Sequence, residues 1–492
     1  MTPSPVGLLV CLVIAIAGRM LGSATLIGLP VSLAFGATAF ATLPALGGSS
    51  PQIYTLFAIC LVAEQFLRRG GVRSLVVSTG RAPMLSLTLL ALMVYSVMTA
   101  IILPRLFAGE TSVFVPVNGA IVETVLAPVT GNISQTAYFV LGIMTCIALG
   151  ATLNNTGRLV LIRKGLILCA LLNVTLGAID LAAKASGVGD VLEVIRTASY
   201  AMLTDVEHAG FFRISGAHSE ASAFGAAIFI SMVFCSTYSR LTGDRRVGML
   251  AVASLALLLL STSSSAYGCL AIYMICLAGK ALFNLLQGRV RKVDLLLVFA
   301  ALVCVAAGIA IYLHNGNAFD RIQQLLDAAI FNKASSASAA ERGYWNSRSL
   351  TTFLETGGLG VGMGSSRASN WLIAVLSQTG VIGAVLQALL AATLLRALPP
   401  SRSDASNLPA LYEAARMTGL ATLVPSLLAG GSADPGMLFF ICVAVAQSAR
   451  QSMQAQAPVA ASSPARRLAA GDNVHTGSPC SGPAPIRAVR RT

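Results

Sequence analysis

The chain is predicted to be an all-α, polytopic membrane protein with about twelve or thirteen membrane helices. Three observations predict it. Hydrophobic residues fill 55% of its 492 positions against 11% charged, and the mean hydropathy of +0.78 lies outside the range of soluble domains. Long apolar runs recur along the chain, each about twice the length of a barrel strand, and lipid offers the backbone of such a run no partner except its own helix. Basic residues cluster in every second connection between the runs, the positive-inside pattern of a polytopic protein.

Taken in order, the runs lie at roughly 7–22, 24–43, 51–67, 84–107, 136–153, 165–183, 220–239, 247–262, 267–286, 295–313, 371–396, 411–429 and 436–449. Only Gly18, Arg19 and Gly22 separate the first two, so one re-entrant hairpin is the alternative to two spans. No basic residue precedes the first run in MTPSPVG, so a cleaved secretory signal is not expected. The basic clusters are Arg68, Arg69, Arg73 and Arg81; Arg158, Arg163 and Lys164; Arg240, Arg245 and Arg246; Arg289, Arg291 and Lys292; and Arg396 with Arg402. Their confinement to alternate connections places those connections in the cytoplasm, and it explains the net charge of +14 without a nucleic-acid partner. Residues 108–135, 184–219, 314–370 and 430–435 then share the opposite face.

This divides the chain into N-terminal spans (1–183), a first outer loop (184–219), central spans (220–313), a large outer loop (314–370), C-terminal spans (371–449) and a disordered basic cytoplasmic tail (450–492). Two outer segments carry a helical apolar stripe and are expected to lie in the interface plane: 318–331, through Ile322, Leu325, Leu326, Ala329 and Ile330, and, less cleanly, 191–203. The ten cysteines are scattered, mostly inside apolar runs, as with Cys146, Cys169, Cys235 and Cys304. No C-x-x-C pair or zinc-like His spacing occurs, so they read as small buried hydrophobes and no metal or cofactor is expected.

Candidate chemistry falls in the outer loops. From Glu341 to Gly383 a polar, Gly-rich segment runs into an apolar helix; Gly360, Gly362 and Gly364 alternate in it, a pattern that lets backbone turn tightly against a ligand. Arg342, Arg348 and Arg367 are candidate bidentate phosphate donors there, against the alternative that they only anchor lipid headgroups. Trp345 and Trp371 are the chain's two tryptophans; a sugar ring can stack on either, while interfacial anchoring is the commoner role and the one expected of Trp371. Ahead of the seventh run, GFFRISGAHSEASAFG brings Arg213, His218 and Glu220 within eight residues at a helix entry. A capped helix start, with Ser219 as cap, is the alternative to a site. Asp434, in GGSADPG, is either an exposed turn carboxylate or a pocket partner. The run STSSSAYG at 261–268 reads as an outer turn.

The motifs R-x-S-G-x-x-S-E-A-S at 213–222, S-T-S-S-S-A after it, E-R-G-Y-W at 341–345, G-L-G-V-G-M-G-S-S-R at 358–367 and G-V-I-G at 380–383 together resemble the O-antigen ligase and Wzy-type polysaccharide polymerase family. The resemblance spans roughly residues 205–440. It implies a metal-independent glycosyltransferase of the bacterial inner membrane that acts on polyprenyl-diphosphate-linked glycans at the periplasmic face, with a flippase and a chain-length regulator as partners. Ser369-Asn370, nine residues and Gly380-Val381-Ile382-Gly383 match the ligase frame, but a Ser stands where ligases carry His, which favours a polymerase of O-antigen or exopolysaccharide repeat units. By the same resemblance Arg213, Arg342 and Arg367 would hold the diphosphate, and Glu220, or else His218, would take the acceptor's proton. A transporter for lipid-linked sugars is the rival reading.

Overall fold

The computed structural model describes residues 2–117, 120–200, 202–204, 207–208, 211–288, 337–396 and 407–456. The apolar run at 295–313, the amphipathic segment at 318–331, the cluster of Arg289, Arg291 and Lys292, Arg402, and the tail beyond 456 lie outside these residues.

The protein is an all-α, polytopic membrane protein. Its helices are α1 (Pro5–Met20), α2 (Ala24–Ser32), α3 (Ile53–Leu67), α4 (Gly71–Arg81), α5 (Pro83–Leu106), α6 (Thr130–Thr152), α7 (Thr156–Ala185), α8 (Ala221–Thr242), α9 (Arg245–Leu260), α10 (Ser264–Leu286), α11 (Ala337–Glu355), α12 (Trp371–Ala392), α13 (Leu408–Ala429) and α14 (Met437–Gln456). Among the described residues, α5, α6, α7, α8, α10 and α12 are long and apolar enough to cross a membrane, and α1 and α3 are shorter apolar helices.

Polar caps punctuate the apolar runs. The Asn155 side chain accepts the Arg158 N–H at 2.9 Å to start α7. Gly243, left-handed at φ 74°, ends α8, and Asp244 accepts the Arg246 N–H at 2.9 Å to start α9, closing a two-residue turn. The run at 261–268 contributes the turn Ser261–Ser263 between α9 and α10, as expected.

Helices pack here through close contact rather than water exclusion, since lipid is as apolar as the side chains. On α7, Gly165 lets α2 approach until an added Cβ would stand 3.1 Å from Pro30. Phe139 of α6 meets Phe440 of α14 edge to face at 5.8 Å, inside the main core. A second core of Phe224, Ile228, Phe229 and Leu258 joins α8 to α9.

Three expectations need correction. The run at 24–43 is not a continuous span: α2 ends at Ser32, just past Pro30, and the chain continues as buried irregular backbone into the short strand β2 (Ala41–Thr42), paired with β1 (Thr2–Pro3). Among the described residues of 191–203 the helical part is the 3-10 turn Glu193–Ile195, because Arg196 turns inward and Thr197 exchanges hydrogen bonds with the Ala39 backbone at 2.7 and 3.0 Å. The first residues of the segment expected to be a disordered tail, up to Gln456, are instead the end of α14.

The connections at one end of the bundle interlock. A hairpin of β3 (Ser112–Val117) and β4 (Ala120–Val125) stands there. Thr38 bonds Ile195, Asn132 bonds Met363 and Ser365, and Ser432 bonds Gln135, tying these connections to one another. At the opposite, basic end, Gln65 accepts the Thr152 hydroxyl at 3.0 Å and Arg163 donates to the Tyr238 hydroxyl at 2.9 Å.

Candidate functional site

The loop-rich end holds four of the sequence candidates together. Glu220 is the N-cap residue of α8, at the positive end of that helix; its side chain makes no capping bond to the backbone and accepts the Ser222 hydroxyl instead. It stands within electrostatic range of both Arg213 and Arg367, and Arg342 lies within range of Arg367. No carboxylate comes within 4.0 Å of any of the three guanidiniums among the described residues. Desolvation pushes the pKa of Arg213 and of Arg367 down, with Glu220 opposing it in both cases. The Arg213 Nε is buried with no hydrogen-bond partner. An unpaired donor of this kind, in a cluster of like charges, is suited to an anionic ligand.

Each of these residues is placed by its neighbours. Arg367 is held through its backbone, its N–H donating to the Phe114 carbonyl of β3 at 2.9 Å, while its side chain lies flat over Gly431. A Cβ at position 431 would stand 2.8 Å from Arg367 Nε, so a side chain there would push the guanidinium aside. Arg342 and Trp345 lie on α11, with Trp345 and Tyr344 packed around Phe114 of the hairpin.

Arg213 rests on a buried charge network that the sequence reading missed. Lys184 at the end of α7 donates to the carbonyls of Arg213 at 2.8 Å and Thr204 at 3.0 Å and pairs with Asp180 at 3.2 Å. Asp180 also accepts the N–H groups of Ser215 and Gly216 at 2.7 and 3.1 Å. Arg196, paired with Asp180 and Asp190, donates to the Gly216 carbonyl. Asp180 and Lys184 sit four residues apart inside an apolar run, and ionisable residues in a span are themselves a signal.

Other candidates do not belong to the open site. His218 is buried, with Nε2 3.3 Å from the Asn173 side-chain oxygen, and desolvation, aided by the Arg196 charge, pushes it down to about 4. It is a neutral packing residue. Arg348 is committed to Glu355 at 3.0 Å, Glu123 at 3.6 Å and the Ser112 hydroxyl at 2.7 Å, tying α11 to the hairpin rather than waiting for phosphate. Hydrogen bonds from Ser112 and Tyr344 hold Glu123 below the usual carboxylate range. Trp371 is not an interfacial anchor: it is buried in the main core with Nε1 donating to the Ala433 carbonyl at 3.2 Å. Asp434 is turned inward as well as capping its turn. It accepts the Gly436 N–H at 2.8 Å, lies within electrostatic range of Tyr54, and desolvation raises its pKa to about 6.

The glycine series faces helices, not a ligand. Gly360, Gly362 and Gly364 are all left-handed, and a Cβ on Gly362 would meet the Thr99 carbonyl oxygen of α5 at 2.6 Å, one on Gly364 the Gly131 carbonyl oxygen of α6 at 2.3 Å. Opposite them, α12 breaks at Gly380, where φ is 64°. Ser377 and Gln378 present their carbonyls to the N–H groups of Val361 and Gly362, both at 2.8 Å, and Thr379 presents its own to the Tyr95 hydroxyl at 2.9 Å. Val381 in turn donates to the Gly358 carbonyl at 3.0 Å. The loop therefore dips into the bundle and completes the hydrogen bonding of a broken helix, as lipid-exposed backbone cannot. In the ligase-like frame, the Ser369 N–H donates to Asn346 at 2.8 Å and Asn370 caps α12 through Leu372 and Ile373.

No family model matches the chain, and no curated protein matches it.

Proposed function

We propose that the protein is a membrane glycosyltransferase that polymerises polyprenyl-diphosphate-linked oligosaccharide repeat units on the periplasmic face of a bacterial inner membrane. The observation that carries this reading is that Arg213 and Arg367 both lie within electrostatic range of Glu220, with Arg342 within range of Arg367, and no ion pair among the described residues occupies these guanidiniums. A diphosphate has the charge and the acceptor atoms to fill such a cluster.

In the reaction, an acceptor sugar hydroxyl attacks the anomeric carbon of the donor. The bond from that carbon to the diphosphate oxygen breaks, and the polyprenyl diphosphate leaves with the electron pair. Glu220 takes the hydroxyl proton. The arginines stabilise the charge that grows on the leaving group, with fixed donors that need no reorganisation. His218, buried and bonded to Asn173, is not the base in this scheme.

The transporter reading draws on the broken helices α2 and α12, since discontinuous helices line many transporter sites. Against it, the four charged groups lie in the loop-rich end and not halfway along the bundle. The separating experiment uses purified full-length protein in detergent with a lipid-diphosphate repeat unit and no energy source. Polymerisation lengthens the glycan; a flippase makes no longer product, and a ligase needs lipid A core as acceptor.

A further inference from the structure

A cleft of about 280 Å³ opens at the basic end, remote from the residues just described. Its wall is built from the turn between α1 and α2, the end of α3 and the turn between α6 and α7, and Arg19, Arg68 and Arg158 all line it. Arg68 lies within electrostatic range of Arg158. Like charges at that separation repel unless something negative stands between them.

The protein itself supplies little of that. Glu64 is the one carboxylate lining the cleft; it accepts the Thr25 hydroxyl at 2.9 Å and, within electrostatic range of Arg158, offsets part of the Arg68 charge there. Among the described residues none of the three arginines has a carboxylate within 4.0 Å. Arg158 alone has a fixed side-chain bond, to the Thr152 carbonyl at 2.8 Å, which aims its guanidinium into the cleft's rim. Gln65, which also lines the cleft, is saturated by Gly71, Ser74 and Thr152. Three arginines against one carboxylate leave the site net positive.

The surroundings select the source of the anion. Met20 and Leu67, the last residues of α1 and α3, are 83% and 84% exposed, and Leu21 and Phe66 beside them are exposed too. Large apolar side chains bared next to arginines are the mark of a surface that meets lipid, with apolar atoms in the acyl region and guanidiniums at headgroup level. Leu26, Leu61 and Leu161 continue that apolar surface into the cleft.

We infer that the cleft formed by Arg19, Arg68 and Arg158 binds the phosphate of an anionic phospholipid headgroup from the leaflet at the basic face. The headgroup phosphate neutralises the facing arginines, and its acyl chains lie over Met20 and Leu67. Retention is then specific to this cleft and not a general property of the basic end, to which Arg240 and Arg245 also contribute charge.

The test is native mass spectrometry of the purified full chain after delipidation and titration with phosphatidylglycerol, repeated with phosphatidylcholine and with inorganic phosphate. Wild type should hold one phosphatidylglycerol, and Arg68→Gln/Arg158→Gln should weaken it by roughly tenfold or more. Arg19→Gln, which removes no intramolecular bond, should weaken it in the same direction, so that a folding defect in the double variant does not decide the matter. Arg240→Gln/Arg245→Gln should leave it unchanged. Equal retention by wild type and all cleft variants overturns the proposal. Binding of inorganic phosphate with no lipid retained overturns the lipid assignment and moves the site to a soluble phosphate.

Discussion

Lys184 donates to the backbone carbonyl of Arg213 at 2.8 Å, so a cation in the last turn of α7 sets where a second cation, 29 residues later, presents its guanidinium. Asp180 compensates that lysine and clamps Ser215 and Gly216 at once. Replacing Lys184 leaves Asp180 with Arg196, at 3.6 Å, as its counter-charge but removes charge-assisted bonds to the Arg213 and Thr204 carbonyls. Lys184→Met should therefore cost on the order of 1.5–3 kcal/mol of stability and misplace Arg213. Thermal unfolding of the purified protein, alongside polymer yield per folded molecule, checks both effects.

Arg213→Lys and Arg367→Lys keep charge but lose the planar fork. Each should remove most polymer formation at unchanged membrane abundance. Gly431→Ala should mimic the loss at Arg367, because the added methyl displaces the guanidinium that rests there. Normal polymer from all three variants would reduce the arginines to headgroup anchors. Arg348→Lys behaves differently: it loosens α11 from the hairpin and lowers abundance before it lowers specific activity.

Glu220→Gln should slow turnover by roughly a hundred- to ten-thousand-fold while donor binding persists. The pair of measurements is single-turnover glycan transfer and retention of the lipid-linked donor. Unchanged turnover would move the base elsewhere.

Stability should vary with pH in two opposing ways. His218 titrates at about 4 in the folded protein against 6.5 when free, so its contribution is complete above pH 6.5 and is lost as pH falls towards 4. Asp434 titrates at about 6 against 3.8, so its contribution is complete below pH 3.8 and is lost as pH rises through 6. His218→Gln should flatten the acid limb of a plot of Tm against pH, and Asp434→Asn should raise Tm near pH 7.5 but not near pH 4.

The membrane class and the described apolar helices, apart from the run at 24–43, were legible because hydropathy depends on sequence alone. The hairpin at 112–125 was legible in principle: β-branched runs flank Asn118-Gly119, a strong hairpin signal, and the surrounding membrane pattern masked it. Glu220 lies within electrostatic range of Arg213 and of Arg367, and Arg342 within range of Arg367, a proximity that the spacing of the motifs alone does not dictate. Arg348 and Trp371 went astray because an arginine or a tryptophan looks the same in sequence whether it faces a ligand or a partner 236 residues away, as Arg348 faces Ser112. Gly362 and Gly364 misled for a related reason, since positive φ and close approach identify a tight contact but not what is being approached.

The break in α12 bears on the order in which the molecule is assembled. Gly380 lies about 13 Å along the axis from Trp371, and three successive carbonyls just before it are bonded to other segments of the chain. Until the loop at 356–364 has docked, two of those carbonyls face hydrocarbon unpaired, at a cost of several kcal/mol each. The helix and the loop that precedes it must therefore settle into the membrane as one cooperative unit. Arg367, three residues beyond that loop, acquires its position only when α12 acquires its bend.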